Sequence, residues 1–130
     1  MKKTYFILLL SLLYFLSPTE GFAQKKKKAR QQKTSTVIKT AQTYIGTPYK
    51  YGGTSGSGID CSGLILRCFE KANYQLPRTS KNWFHSGLVT SVNKGKANFI
   101  HASTSRGVVE SDLTQEYYSK SIKGFRRVIK

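Results

Sequence analysis

Asp60-Cys61-Ser62-Gly63-Leu64 opens a stretch with the spacing of an amphipathic helix, and the rest of the chain can be arranged around it. From Cys61 to Ala72, one stripe at helical spacing is apolar and the opposite face is charged. The apolar stripe consists of Cys61, Leu64, Ile65, Cys68, Phe69 and Ala72. Asn73 can end this helix and Pro77 excludes its continuation, so we predict a helix over Cys61–Ala72 with one buried face.

The two cysteines of this helix occupy different settings. Cys61 lies in the first turn, where unpaired backbone N–H groups and the helix macrodipole favour the reactive thiolate. A glycine-rich segment, residues 46–58, precedes it and allows substrate to approach the backbone closely. Cys68 lies two turns further along the apolar stripe, roughly 10 Å away, whereas a disulfide needs Cα atoms within about 7 Å. We therefore expect two free thiols, with Cys61 as the candidate nucleophile and Cys68 buried.

The two histidines of the chain are the candidate partners of Cys61. A cysteine nucleophile needs a base, and the base needs a group that holds its tautomer. The segment after the helix can reach up to roughly 40 Å, which is enough to bring His85 back to Cys61. If strands 85–92 and 97–102 pair through a three-residue loop, Gly87 lies opposite His101 and both histidines share one face. A two-residue loop would place them on opposite faces.

The remaining pattern indicates an α+β domain. Apolar residues from Val37 follow helical spacing until Gly46. Two more strands are predicted over 106–111 and 122–129, with a short helix over 114–119 between them. Helices followed by an antiparallel sheet define the α+β class, and this domain should cover residues 35–130.

The N-terminal residues have the order of a secretory signal. A basic start, an apolar run over residues 5–16 and a small residue at Ala23 predict a signal over 1–23. The run is too short to span a bilayer, so we expect no stable membrane anchor and a secreted, periplasmic or cell-envelope protein. Six cations crowd residues 24–34, and we expect this arm to be disordered. Nucleic acid is not an expected partner outside the cell, whereas anionic cell-wall polymers are.

Four stretches together resemble the NlpC-type cell-wall peptidases, a papain-like family of peptidoglycan hydrolases. Gly46-Thr-Pro-Tyr-Lys-Tyr-Gly-Gly53 is similar to the family's glycine loop, and Asp60-Cys-Ser-Gly-Leu64 to its nucleophile motif. Leu76-Pro-Arg-Thr-Ser80 follows the helix as in the family. Phe99-Ile-His-Ala-Ser-Thr-Ser105 with Gly107-Val-Val109 resembles the strand that carries the third site residue. The likeness runs from about Val37 to the C-terminus.

The resemblance implies a papain-like NlpC-type fold and a role for each matching residue. Cys61 would be the nucleophile, His85 the general base and His101 the residue that orients it. The Tyr49 hydroxyl would help to hold the oxyanion or the substrate. Two further residues are open: Asp60 contacts substrate or caps the helix, and Arg78 contacts substrate or is a surface charge. The implied substrate is the peptide stem of peptidoglycan, commonly the D-γ-glutamyl bond to a diamino acid, and we expect a monomer without metal or cofactor.

One departure from the family leaves alternatives open. Only Lys81-Asn-Trp-Phe84 separates Ser80 from His85, where family members usually carry a longer connection with a strand. One strand of the sheet is therefore expected to be missing, which leaves the histidine strand at an edge. The chain is then either an active peptidase or a catalytically impaired wall-binding remnant, and hydrogen-bond reach between His85 and Cys61 distinguishes them. A lipid-directed acyltransferase is a third reading, but such folds tend to place histidine before cysteine.

Overall fold

The computed structural model describes residues 19–76 and 85–130, and the chain divides into two units, 1–32 and 33–130. Helix α1 covers Thr19–Thr43. The remaining elements are β1 (Thr54–Ser55), β2 (Gly58–Ile59), α2 (Cys61–Lys71), β3 (Gly87–Asn93), β4 (Lys96–Ser103), β5 (Gly107–Asp112) and α3 (Glu116–Ser119). In the described ranges, no helix is both long and apolar enough to cross a membrane.

The basic arm over residues 24–34, which we expected to be disordered, is part of α1. Lysine, arginine, glutamine and alanine make up nearly all of it, and all four are strong helix formers. Every residue from 21 to 35 is exposed, so burial contributes little to the stability of this part of the helix. Intrinsic propensity therefore outweighs the mutual repulsion of the lysines in this structure. The apolar positions from Val37 onward lie in α1 or directly after it, as their spacing predicts.

Strands β3, β4 and β5 form one antiparallel sheet in the order β3-β4-β5, and β1 and β2 form a small separate hairpin. This combination of helices and antiparallel sheet confirms the predicted α+β class. Within the described residues β3 is an edge strand. The shortened connection, residues 81–84, lies outside the described residues.

The hairpin between β3 and β4 reaches the predicted register by a different route. Its loop has two residues, Lys94 and Gly95, because Asn93 pairs with Lys96. The predicted three-residue loop is therefore wrong. Both loop residues have positive φ, 46° and 81°, as a tight primed turn requires. A bulge between Val89 and Ser91 then adds one residue to β3 and shifts the register.

The bulge residue is Thr90, and its side chain ties the three strands together. Its single hydroxyl proton is shared between the Glu110 carboxylate on β5 and the backbone oxygen of Asn98 on β4, which is 3.3 Å away. Beyond the bulge Gly87 pairs with His101, which is the register that the sequence predicted. A straight two-residue hairpin would have placed the two histidines on opposite faces, so the bulge is what puts them on the same face.

The core lies between α2 and one face of the sheet. Leu64, Cys68 and Phe69 of α2 are buried together with Ile100 and Ala102 of β4. These side chains follow the 3.6-residue period of a helix and the two-residue period of a strand, as the sequence pattern predicts. Helix α2 ends one residue earlier than predicted, with Ala72 as C-cap and Asn73 at φ 55°.

The strand predicted over 122–129 is wrong, because the structure assigns no strand to this segment. Its apolar residues do not alternate, and Phe125 is 72% exposed. Only Val128 and Ile129 pack against the core, and the Tyr74 hydroxyl donates to the backbone oxygen of Val128 at 3.5 Å. The helix predicted over 114–119 is a single turn, Glu116–Ser119.

Candidate active site

Cys61 is the first residue of α2 and is half-buried. Asp60, in extended backbone conformation, is the N-cap of the helix. Its Oδ1 accepts hydrogen bonds from the Gly63 N–H at 2.7 Å and from the Ser62 hydroxyl at 2.8 Å. A capped helix start keeps the first turn fixed, and its positive end lies next to the Cys61 sulfur.

The same carboxylate anchors the glycine-rich loop to the helix. The Gly52 N–H donates to Asp60 Oδ2 at 2.7 Å, and the Asp60 N–H donates to the Gly53 carbonyl at 3.2 Å. Helix and loop approach so closely that a Cβ on Gly63 would lie 2.2 Å from the Gly53 oxygen. Glycine is therefore required at position 63. Of the two interpretations of Asp60, the structure supports helix capping, since its side chain is buried and engaged in these bonds.

Tyr49 lies in the same loop and pairs with Ile59, two residues before the nucleophile, in an isolated parallel bridge. Burial raises the pKa of the Tyr49 hydroxyl, and the neighbouring Cys61 and Asp60 charges raise it further. Tyr49 thus remains a neutral phenol with an O–H to donate. The structure brings it into the electrostatic neighbourhood of Cys61, as the resemblance implies.

His85 and His101 contact each other through their ring nitrogens. His85 Nε2 and His101 Nδ1 are 2.8 Å apart, and the two rings are nearly perpendicular, at 87°. His85 is exposed whereas His101 is only 2% exposed. The pairing of Gly87 with His101 makes His85 the diagonal neighbour of His101 on one face, which explains the contact.

The His85 side chain also reaches the nucleophile. A hydrogen bond with His85 lowers the pKa of the Cys61 thiol, hydrogen bonds with Ser86 lower it further, and burial opposes them. A lowered thiol pKa increases the fraction of reactive thiolate near neutral pH. Cys61, His85 and His101 therefore form a chain of interactions: the Cys61 thiol is coupled to His85, and the His85 ring contacts that of His101. Ser86 was not identified from the sequence.

His101 has further partners that sequence reasoning missed. Its Nε2 lies 3.1 Å from the Ser111 hydroxyl of β5 and 3.3 Å from the Tyr118 hydroxyl of α3. Phe99 stacks on its ring at a centroid distance of 4.4 Å. Ser111 pairs with Phe99 across β4 and β5, so it lies on the same face as His101. The register of this second hairpin, which the sequence analysis did not derive, was the signal that could have identified Ser111.

The environment of His101 makes the stability of the protein depend on pH. Burial, together with the neighbouring charges of His85 and Arg106, lowers the pKa of His101 from 6.5 to about 4. Between these pH values the unfolded chain binds more protons than the folded one, so stability rises with pH and is lost on acidification. We expect His101 to contribute a loss of up to about 3 kcal/mol in unfolding free energy between pH 6.5 and 4.

Urea denaturation across this pH range, with His101→Asn as the control, measures that contribution. Other acidic groups titrate in both proteins, so the difference between the two curves isolates His101. The difference in unfolding free energy between wild type and His101→Asn should change with pH between 6.5 and 4. Parallel curves would contradict the assigned environment of His101.

Cys68 does not belong to this chain of interactions. Cys68 is fully buried, and burial raises the pKa of its thiol to about 12, so it is unreactive as predicted. Both thiols are free, as expected from their separation along the helix. Arg78 lies outside the described residues. Over residues 19–76 and 85–130, no group of His, Cys, Asp and Glu side chains could hold a metal ion.

Comparison with known proteins yields one family. The family model of NlpC/P60 matches residues 46–97. The chain is 32% identical over 116 residues to the probable endopeptidase NlpC of Escherichia coli (strain K12), covering 67% of this chain and 73% of that protein. It is 33% identical over 118 residues to the murein DD-endopeptidase MepS/murein LD-carboxypeptidase of that strain, covering 73% of this chain and 63% of the relative.

A third relative and two solved structures extend the comparison. The gamma-DL-glutamyl hydrolase of Bacillus subtilis (strain 168) is 31% identical over 117 residues, covering 70% of this chain and 28% of that protein. The crystal structure of an NlpC/P60 family protein from Bacillus cereus ATCC 10987 superposes with a TM-score of 0.59 at 24% identity, over 75% of this chain and 40% of that one. An NLP/P60 family protein from Staphylococcus aureus, described as similar to lipoprotein, gives 0.56 at 27% identity, over 76% of this chain and 42% of that one.

Proposed function

Because the chain belongs to the NlpC/P60 family, whose named relatives are peptidases, we propose that it is a secreted cysteine peptidase of peptidoglycan. Its substrate is an amide bond in the stem peptides of the cell wall. The observations that carry the proposal are the lowered pKa of the Cys61 thiol, caused first by His85, and the contact between His85 and His101. That arrangement supplies a thiolate, a base and a group that orients the base, which are the parts that nucleophilic amide cleavage requires.

The proposed reaction begins with proton transfer from the Cys61 thiol to His85. The thiolate then attacks the amide carbonyl, and the carbonyl oxygen becomes an oxyanion. The Cys61 backbone N–H at the start of α2 and the neutral Tyr49 hydroxyl donate to this oxyanion. The His85 imidazolium gives its proton to the leaving amine, and a water molecule activated by His85 then hydrolyses the acyl-enzyme.

The bond we propose is the D-γ-glutamyl bond to a diamino acid, as the resemblance implies. The Bacillus subtilis relative is named a gamma-DL-glutamyl hydrolase, which supports this bond. The Escherichia coli relative is named a DD-endopeptidase and LD-carboxypeptidase, so the family contains other specificities. The products released from peptidoglycan distinguish these bonds directly.

We also propose that the basic part of α1 holds the enzyme near anionic polymers of the wall. Lys25 to Lys28, Arg30 and Lys33 lie on an exposed helix, and no acidic residue occurs between Glu20 and Asp60. A dense positive charge raises the local concentration of a polyanion without a specific site. Such attraction weakens with salt, because the Debye length falls from about 10 Å at 0.1 M to about 3 Å at 1 M.

Digestion of purified peptidoglycan by the purified chain tests the proposed function, with mass spectrometry of the released peptides. We expect fragments that end at D-γ-glutamate, and an initial rate on insoluble wall that falls as salt rises. The Cys68→Ala variant is a matched control, since it removes the other thiol and should release the same fragments. If a folded wild-type chain released no fragments, the hydrolase proposal would be rejected in favour of the wall-binding remnant.

A further inference from the structure

The segment that follows α3 exposes a cluster of positive charges that the proposed reaction does not use. Residues 120–127 form neither helix nor strand, and every one of them is exposed. We call this segment the C-terminal loop. Its basic residues are Lys120, Lys123, Arg126 and Arg127. No acidic residue follows Glu116 in the sequence, and Glu116 pairs with Lys120, so the other three cations leave an excess of positive charge at this surface.

The C-terminal loop is held to the domain at both ends. At its start, the Ile122 N–H donates to the backbone oxygen of Tyr118 at 3.0 Å, and the Tyr118 side chain is half-buried. At its end, Val128 and Ile129 pack against the core, and the Tyr74 hydroxyl donates to the backbone oxygen of Val128 at 3.5 Å. The exposed residues between these two points are therefore presented on the surface of the folded domain.

An exposed aromatic ring lies among the charges of the C-terminal loop. The Phe125 side chain is 72% exposed, and its neighbours in sequence include Lys123, Arg126 and Arg127. Ile122, in the same loop, is 36% exposed. Single exposed apolar side chains are common on protein surfaces, so the ring is informative only in combination with the cations around it.

This combination fits the surface of a lipid bilayer better than a dissolved polyanion. Cations bind the phosphates of anionic headgroups, while an aromatic ring enters the boundary between headgroups and acyl chains. A polyanion in water would use the cations and leave the Phe125 ring in water. The basic part of α1 differs in this respect, because residues 25–33 contain no aromatic side chain.

We propose that the C-terminal loop docks the protein on the surface of a bilayer that is rich in anionic phospholipid. The charges of the loop supply long-range attraction, and Phe125 supplies the apolar contact that a stable peripheral interaction needs in addition to charge. The docking is peripheral and reversible. It goes beyond the proposed hydrolysis, because neither Cys61 nor His85 takes part in it.

Sedimentation with lipid vesicles tests the proposal, using the chain from residue 24 that is expected after removal of the predicted signal. We expect binding to vesicles made of equal parts phosphatidylglycerol and phosphatidylcholine, and little binding to phosphatidylcholine alone. Arg126→Gln combined with Arg127→Gln should lower the partition coefficient about 25-fold, since each cation near an anionic surface changes it about fivefold. Phe125→Ala should lower it roughly fivefold without any change in charge.

Two matched controls separate this surface from general properties of the chain. Lys26→Gln combined with Lys27→Gln removes the same charge from α1, and it should weaken vesicle binding less than the arginine pair does. Tyr51→Ala removes an aromatic side chain that is 90% exposed elsewhere on the domain, and it should bind vesicles like wild type. Equal losses from the lysine pair and the arginine pair would overturn the proposal in favour of attraction by net charge.

Soluble polyphosphate distinguishes a membrane from a phosphate polymer as the partner. If the arginine pair weakened polyphosphate binding as much as vesicle binding, and Phe125→Ala changed neither, the proposed docking on a membrane would be overturned. Urea denaturation should give the same midpoint for Phe125→Ala as for wild type, because the ring is exposed. Vesicle binding is measured without substrate, so its outcome is independent of whether the chain hydrolyses peptidoglycan.

Discussion

Replacing Cys61 with alanine should lower the rate of peptidoglycan hydrolysis by at least about 10⁴-fold, as removal of a catalytic nucleophile does in other triad enzymes. Alanine has no group that can attack a carbonyl, and no other described thiol can substitute for Cys61. Cys68 is fully buried, and its thiol pKa is raised to about 12. The residual rate would come from binding and oxyanion stabilisation alone.

The loss should leave the fold intact, which separates a catalytic effect from unfolding. Cys61 is half-buried at the edge of the core, so truncation to alanine removes little packing. The helix cap involves the Asp60 side chain and the backbone of residue 63, neither of which this substitution alters. We expect the midpoint of urea denaturation of Cys61→Ala to match that of wild type.

Alkylation of wild type by iodoacetamide provides an independent check on the same residue. Modification should occur at Cys61 and abolish hydrolysis in proportion to the fraction of chains alkylated, with Cys68 left unmodified in the folded protein. Full hydrolytic activity in fully alkylated protein, or in Cys61→Ala, would refute the proposed mechanism.

The three residues of the chain of interactions could be predicted because the chemistry limits the choice. A thiolate at a helix start needs a base, and the chain offers His85 and His101 alone. Their proximity also followed from the hairpin register, although the loop from which we derived that register is wrong. The sequence Asn93-Lys94-Gly95-Lys96 accommodates a two-residue and a three-residue loop, and local residue preferences do not separate them.

The bulge that corrects the register has no sequence signature of its own. Thr90 is an ordinary strand residue, and its bulge is accompanied by hydrogen bonds of its hydroxyl to Asn98 and Glu110 on two other strands. Such contacts depend on the tertiary pairing, which a pattern of apolar residues does not encode. Ser111 and Tyr118 were missed for the same reason, since serine and tyrosine are common and only the pairing of β4 with β5 gives them a role.

The errors at the two ends of the chain have a different origin. In the basic arm, charge repulsion and helix propensity oppose each other, and we gave the first too much weight. Over residues 122–129 the apolar positions do not alternate as a strand requires, so β propensity alone was insufficient. In both segments few side chains are buried, and burial is what makes a periodic pattern informative.

Asp60→Ala should destabilise the protein by about 3 kcal/mol, which is the largest stability effect we expect from a single polar substitution in the site. The buried carboxylate accepts from the Gly63 N–H and the Ser62 hydroxyl at the helix start, and from the Gly52 N–H in the glycine loop. Alanine offers no acceptor, so the helix cap is lost and the buried Gly63 N–H loses its acceptor. Asp60→Asn retains one acceptor oxygen and should cost about 1 kcal/mol.

Urea denaturation followed by circular dichroism measures this effect, with Glu70→Ala as the matched control. Glu70 lies on the same helix and carries the same charge, but it is exposed and pairs with exposed Arg67 at 3.0 Å. Surface pairs of this kind contribute at most about 1 kcal/mol, so the control should stay near wild type. The measurement also decides between the two interpretations of Asp60. If Asp60→Ala unfolded like wild type but raised KM, the residue would be a substrate contact rather than the group that joins the nucleophile helix to its loop.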